Sequence, residues 1–464
     1  MVGLIEKTVE QLSRMIPISN DISRIGDRLI KGVSINTATL QKGNLFIPLQ
    51  GEKRDGHEFV EAAFEKGASA SLWQKDRPNP PKHLPLLFVD DTLKALQELA
   101  RKYREELSLK VVAVTGSNGK TTTKDMIAEI LAVQYKVQKT IGNLNNHIGL
   151  PLTVLELKPD TEIAVLEMGM NHFGEIDFLT RLAKPDVAVI TNIGDAHLQE
   201  LGSREGIAKA KFEIVNGLKE GGLLIIPGEE PLLAERAFAE NRHYRVKTFG
   251  KSPTNDIYPT SVDLHGKGTI FTFSGWEEPV YLPVLGEYNV YNALAAILVG
   301  SEFGVPYSRL NVAFSQLKLS DMRLELLPGI NGSMILNDAY NANPTSMKAV
   351  LDLFAKLKGY ERKIVVLGDM LELGPMEEKF HYEIGESIDA KEIDLVYTYG
   401  RLGKFIAEGA KKRFGEERVF SFTDKQALID HLKANLFANT FVLIKASRGM
   451  KLEEVANAIS EKTE

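Results

Sequence analysis

Residues 115–123 read Thr-Gly-Ser-Asn-Gly-Lys-Thr-Thr-Thr, directly behind an apolar run at 110–114 and ahead of a helical pattern at 120–133. A glycine-rich turn in that position lets backbone N–H groups approach phosphate oxygens, and the helix that follows adds the positive end of its dipole. Gly116, Ser117, Asn118, Gly119, Lys120, Thr121 and Thr122 are therefore candidate nucleotide contacts. The Lys120 ammonium can reach β- and γ-phosphates, and the Thr121 hydroxyl can ligate Mg²⁺. The longer form of the motif has glycine at position 114, which is valine here, so the pattern is the shorter Gly-x-x-Gly-Lys-Thr. A glycine-rich turn with a surface lysine is the plainer account, and the strand–loop–helix context disfavours it.

A triphosphate site needs metal-holding groups. Glu167 closes the apolar run 163–166, and acids at strand ends face the ligand crevice of a parallel sheet. Taken alone, it reads as a solvated strand-end glutamate. His197, in Thr-Asn-Ile-Gly-Asp-Ala-His-Leu at 191–198, lies after the next strand above the same crevice. It is a candidate metal ligand, although lone histidines often pack or cap. Lys209 and Lys211 follow on a helix and by themselves are two solvated charges. The chain has no cysteine, which excludes disulfides, thiol nucleophiles and thiolate metal sites.

The elements that must position these residues are legible in the patterning. The chain has 464 residues, with 56 Lys and Arg against 62 Asp and Glu, a net charge of −6. That balance argues against a nucleic-acid partner or a broad basic membrane face. The first nineteen residues lack an uninterrupted apolar stretch, and no apolar run approaches a membrane span, so a cytoplasmic protein without membrane insertion is expected. Residues 1–108 begin with an amphipathic helix (Leu4, Val9, Leu12, Met15) and continue with short strands, helices near 60–66 and 93–106, and a proline-rich loop at 76–85. Across 109–319, strand-length apolar runs alternate with amphipathic helices, the signature of a parallel sheet covered on both faces. Antiparallel strands at 256–283 and a helix from near Asn289 follow. Residues 320–464 repeat the alternation, with strands at 334–338, 363–367, 395–399, 418–422 and 441–445. The expected architecture is α/β in three domains: a small N-terminal α/β unit, a central P-loop parallel-sheet unit and a C-terminal Rossmann-like unit.

The segments TGSNGKTTT (115–123), GNLNNHIGLP (142–151), LEMGM (166–170), TNIGDAHL (191–198), KAKFEI (209–214), GEYNVYNALAA (286–296), NDAYNANPTSM (337–347), LGDMLELG (367–374) and KASRGMKLE (445–453) together resemble the Mur ligase family. A weaker match covers 32–59. The asparagine-rich run at 337–344, with LGDMLELG, points to the branch that joins D-alanyl-D-alanine to UDP-MurNAc-tripeptide for peptidoglycan synthesis. The resemblance implies an ATP-dependent amide-forming ligase that passes through an acyl phosphate and yields UDP-MurNAc-pentapeptide, ADP and phosphate. The physical task is bringing two anions together.

The same resemblance implies the residue roles. Lys120, Lys211, His197 and Arg323 would be catalytic. Thr121 and Glu167 would hold one Mg²⁺, and His197 would help to hold a second. Lys211 matches a lysine carbamylated by CO₂; Lys209 stands in a different register. Asn289 and Asn292 match the adenine-side helix, Arg323 an arginine that reaches the γ-phosphate, and Asp338 a residue near the ribose. Asn341 and Asn343 are candidates for binding the dipeptide or fixing a closed state, with Tyr340 beside them. Lys445, Ser447 and Arg448 are candidates for the dipeptide carboxylate; loop-capping hydrogen bonds account equally well for these third-domain groups. Asn145 and Asn146 would contact substrate, and Ser34, Thr37 and the Asp55-Gly56-His57 turn would hold the UDP-sugar, although ordinary turn chemistry also explains the latter. A monomer is expected. The sequence departs from the family at Asn36-Thr37-Ala38, where an arginine is usual, at Tyr288, where histidine is usual, and at Ala446. Alternatives are a sibling ligase adding one amino acid, a folylpolyglutamate synthetase-like ligase, or a non-catalytic nucleotide-gated switch.

Overall fold

The computed structural model describes residues 5–240 and 242–461. Leu4, counted above in the first helix, lies outside them. Within them that helix is shorter than expected. Glu6–Thr8 is a strand paired antiparallel with Leu29–Lys31, and the helix runs over Val9–Met15. The reason is a capping box at Thr8 and Gln11, which sets the helix start after the strand. A four-stranded parallel sheet (Val33–Ser34, Leu45–Phe46, Ala70–Gln74, Leu86–Val89) completes this part, packed by the helix Thr92–Glu106.

The middle of the chain forms a six-stranded parallel sheet. Its order is Arg245–Phe249, Leu223–Pro227, Val187–Ile190, Lys110–Thr115, Ile163–Glu167, Val137–Lys139. The short edge strand Val137–Lys139 and the strand Arg245–Phe249 are too polar for periodicity to reveal. The inner strands are apolar between their ends because both faces are covered. Val112, Val114, Val165 and Val189 enter one core, while Val111, Ala113, Leu166 and Ile190 enter the other. Each such burial contributes about 1.5–3 kcal/mol for the larger side chains. A three-stranded antiparallel sheet, Pro259–His265, Gly268–Phe273 and Trp276–Leu282, packs Phe271, Phe273, Val280 and Leu282 into the core that holds Val112 and Val165.

A further six-stranded sheet is ordered Glu325–Gly329, Ser333–Asn337, Thr440–Lys445, Arg362–Gly368, Leu395–Tyr399, Val419–Phe422, parallel except at the first strand. The five expected strands are present, and the antiparallel edge strand is an addition. In the central sheet the strand order turns at Lys110–Thr115, which has Ile163–Glu167 on one side and Val187–Ile190 on the other. The loops leaving these three strands open at one carboxyl end. This is the switch point where ligands sit in such sheets.

Candidate active site

The turn after Lys110–Thr115 is shaped around two glycines. Gly116 has φ +151°, and a β-carbon there would lie 1.8 Å from the Thr191 hydroxyl oxygen; Gly119 has φ +77°, and a β-carbon would lie 2.6 Å from Asn292 Oδ1. Only glycine fits both backbone and space. Asn192 Oδ1 accepts from the Asn118 N–H at 2.9 Å, which fixes the turn from the neighbouring strand end. The Lys120 ammonium folds back into the cradle and donates to the Gly116 carbonyl at 2.8 Å. Burial lowers its pKa; the Glu167 charge opposes that shift and Arg323 reinforces it.

Glu167 is 2 % exposed. Its Oε1 accepts from Asn145 Nδ2 at 2.8 Å, and its backbone N–H donates to the Thr140 hydroxyl. Its Oε2 is buried without a hydrogen-bond partner; the nearest cation is the fully buried Lys124 ammonium at 3.8 Å. An orphaned carboxylate oxygen beside a phosphate cradle suits a divalent cation. Among the described residues no three His, Asp or Glu side chains form a ready-made metal cage. A cation here would therefore rest on Glu167, the Thr121 hydroxyl and phosphate oxygens.

Lys211 and Lys209 sit on the helix Arg204–Phe212 with opposite fates. Lys209 is exposed over the Phe173 ring. Lys211 is 2 % exposed, and its pKa falls well below that of a free lysine, first through burial and then through repulsion from Lys120. Both effects favour the neutral, nucleophilic form of the amine. His197 faces across the cleft, its Nδ1 2.8 Å from Glu372 Oε2, at an angle that aligns no hydrogen bond. The His197 ring holds the Glu372 carboxyl below the ordinary value.

The C-terminal sheet contributes the opposite wall. Arg323 lies between Met322 and Leu324, which both adopt positive φ. Its Nη2 donates to the Thr121 hydroxyl at 2.9 Å, and its guanidinium stacks 4.1 Å from the Tyr340 ring centroid. Asp338 receives the Leu324 N–H on Oδ1 and the Lys445 ammonium on Oδ2. Lys445 also donates to the Asn341 carbonyl. Tyr288, standing where the family usually has histidine, is half-buried, and its removal from water together with the Asp338 charge raises its pKa well above that of free tyrosine.

A cavity of about 340 Å³ joins these groups. Ser117, Asn118, Gly119, Lys120, Thr122, Asn145, Glu167, His197, Lys211, Asn289, Asn292, Arg323, Asp338 and Asn341 line it. Gly116 and Thr121 stand just behind, one bonded to Lys120 and the other to Arg323. Asn289 and Asn292 bond one another at 3.0 Å under the phosphate turn.

Other expected residues do not line this cavity. Asn146 Oδ1 accepts the N–H groups of Ile148 and Gly149 just ahead of the helix Gly149–Leu155. Asn343 caps the helix Pro344–Lys356. Arg448 is exposed and pairs with Glu453, while the buried Ser447 hydroxyl accepts the Leu371 N–H. Ser34 closes a turn with Asn36, and the Thr37 carbonyl accepts from Lys66. His57 receives the Gln74 N–H on Nε2 and donates from Nδ1 to Asp55, which also pairs with Arg77. Sequence reading missed Lys124, Asn192 and Glu372. Asn192 and Glu372 lie inside the quoted motifs at 191–198 and 367–374 and so carried a local signal.

Comparisons with known proteins match three family models along the chain: "Mur ligase family, catalytic domain" at 29–104, "Mur ligase middle domain" at 114–300 and "Mur ligase, glutamate ligase domain" at 322–448. A UDP-N-acetylmuramoyl-tripeptide–D-alanyl-D-alanine ligase of Bacillus subtilis is 52% identical over 458 residues, covering 99% of both chains. The crystal structure of MurF from Acinetobacter baumannii superposes with a TM-score of 0.89 at 31% identity, over 99% of this chain and 100% of that one. The MurF ligase of Thermotoga maritima in complex with ADP gives 0.80 at 29% identity, over 92% and 96%. With family models along its length and a relative more than half identical from end to end, the chain belongs to the Mur ligase family.

Proposed function

We propose that this protein uses ATP to join D-alanyl-D-alanine to the terminal carboxylate of UDP-MurNAc-tripeptide, releasing ADP and phosphate. The observation that carries the reading is the convergence of Lys120, Arg323, Glu167 and Lys211 on one cavity between the phosphate turn and the C-terminal sheet. The curated Bacillus subtilis relative bears the name of this activity. Domain boundaries near 108/109 and 319/320 belong to the same reading, with the first domain holding the UDP-sugar and the third the dipeptide.

The residues divide the work. Backbone N–H groups of the phosphate turn and the Lys120 ammonium hold the β- and γ-phosphates, and Arg323 approaches the γ-phosphate from the opposite wall. The substrate carboxylate attacks the γ-phosphorus, ADP leaves, and an acyl phosphate forms. The dipeptide amine then attacks the acyl carbon, loses a proton, and the tetrahedral intermediate expels phosphate. Thr121 and Glu167 would hold a Mg²⁺, which supplies charge neutralisation for the phosphates when bound. The neutral amine of Lys211 adds to CO₂ and sheds a proton; the resulting carbamate, with His197, would support a second cation. Asn289 and Asn292 present amides to the purine edge, and Asp338 faces the ribose. Replacing a buried lysine's repulsion by an anion resolves the otherwise unfavourable Lys120–Lys211 neighbourhood.

The test is an acceptor panel with product mass. Purified protein with ATP and UDP-MurNAc-tripeptide should release phosphate only when D-alanyl-D-alanine is added, with a pentapeptide product by mass spectrometry. Equal release with single amino acids would assign a sibling reaction, and nucleotide binding without any covalent product would leave a switch.

A further inference from the structure

The side chains of Asn118 and Asn343 meet across the cleft. Asn343 Nδ2 donates to Asn118 Oδ1 at 2.8 Å, and Asn118 Nδ2 lies 3.4 Å from Asn343 Oδ1. One amide belongs to the phosphate turn. The other opens the helix Pro344–Lys356, where Asn343 Oδ1 accepts the Ser346 N–H and the Asn343 N–H donates to the Ser346 hydroxyl. Both ends are held firmly. The Asn118 N–H donates to Asn192 Oδ1, and its carbonyl accepts from Asn192 Nδ2 and the Thr191 hydroxyl. A second contact lies alongside: the Thr345 hydroxyl donates to Asp195 Oδ2 at 2.7 Å. Between the two contacts, Gly194 leaves little space. A β-carbon there would lie 3.2 Å from Asn118 Nδ2 and 3.3 Å from the Thr345 hydroxyl. Phosphate turn, strand-end loop and C-terminal helix therefore interlock at one point.

A phosphate turn reads its anion through main-chain N–H groups and a lysine. A side-chain amide turned toward the opposite wall does other work. We propose that the Asn118 side chain is a positioning group, which registers the C-terminal domain on the phosphate turn through Asn343. The turn conformation that nucleotide stabilises is then the surface on which that domain docks, and docking brings Arg323 to Thr121 and Lys120. Nucleotide occupancy and domain registry become linked equilibria. The inference rests on the proposed function only in placing nucleotide at this turn.

The absence of cysteine makes a direct test clean. Glu235→Cys and Glu408→Cys, both at exposed positions of the central and C-terminal sheets' surroundings, carry a fluorescent pair for single-molecule energy transfer. Closed-to-open ratios are measured in the full chain with and without Mg²⁺ and a non-hydrolysable ATP analogue. The backgrounds are the parent, Asn118→Ala, Asn343→Asp and the double variant. Aspartate keeps the helix cap but removes the donating NH₂. Asn118→Ala removes both contacts and should lower the ratio roughly tenfold, and Asn343→Asp, which loses only the donation from Nδ2, should lower it by a smaller factor. The double variant should fall no further than Asn118→Ala alone. An unchanged ratio in Asn118→Ala with weakened analogue binding would make Asn118 a phosphate ligand and overturn the inference, as would independent, additive effects. If Asn343→Asp fails to fold, Asn118→Ala alone still decides, because it touches no cap. Failure of the analogue to bind the parent would overturn the nucleotide reading instead, while the ratios without analogue would still test the latch.

Discussion

At Gly116 the absent side chain is the functional feature. The space a β-carbon would need is occupied by the Thr191 hydroxyl, and φ is +151°. Gly116→Ala is expected to destabilise the fold by about 2 kcal/mol or more and to abolish nucleotide binding in a calorimetric titration. Binding at parental affinity would contradict the assignment of the turn. Lys120→Ala should reduce phosphate release by at least about 100-fold while the melting temperature holds, because the ammonium bonds only to carbonyls of its own turn. Lys211→Ala should lose activity that a high concentration of a short carboxylate partly restores, since acetate or formate can occupy the volume of the missing carbamate. Absence of rescue, together with no carbamate mass on the parent protein, would refute the modification. The residues legible in the sequence were those whose chemistry depends on local spacing: the phosphate turn, and Glu167 at a strand end. The partner of Asn118 lies 225 positions away, and Glu372 meets His197 from the other wall, so no window along the chain could join them.

Elements fix where those residues point. The C-terminal helix Glu377–Ser387 is tied to the loop after Arg362–Gly368 through His381, which is fully buried. Its Nε2 accepts the Met370 N–H at 2.8 Å and its Nδ1 donates to the Glu377 carbonyl at 2.7 Å, an arrangement that requires the neutral ring. Burial lowers the His381 pKa below the free value of 6.5. The unfolded chain then binds a proton that the folded chain resists, so this contribution is complete above pH 6.5 and is lost as pH falls below it. Thermal melting should show lower stability at pH 5.5 than at 7.5, with a shallower slope in His381→Gln, which keeps one donor and one acceptor. An identical slope in that variant would place the titration elsewhere. The inner strands were legible because burial on both faces demands unbroken apolar runs. Val137–Lys139 and the antiparallel Glu325–Gly329 were not, because partly exposed edge strands carry no such demand. Sequence reading also extended the first helix through residues that the Thr8 cap assigns to a strand.

On the scale of the whole molecule, the site exists only where two sheets face each other. Arg323, Asp338 and Lys445 come from the C-terminal sheet and its linker, while Lys120, Glu167 and Lys211 come from the central one. Among the described residues no helix is long and apolar enough to cross a membrane. The order of the three parts was visible in the alternation of apolar runs, but the facing of the two sheets depends on contacts such as Arg323–Thr121 and Ser320–Asp125, which span about two hundred residues. The central claim is that a triphosphate lies on the turn at 116–121 with its γ-phosphate between the two walls. A crystal structure with Mg²⁺ and a non-hydrolysable ATP analogue measures this directly. The account predicts phosphates on the N–H groups of that turn, the γ-phosphate between Lys120 and Arg323, and a cation between Thr121 and Glu167. A triphosphate seated elsewhere, or bound at the turn with Arg323 directed away from it, would contradict the account.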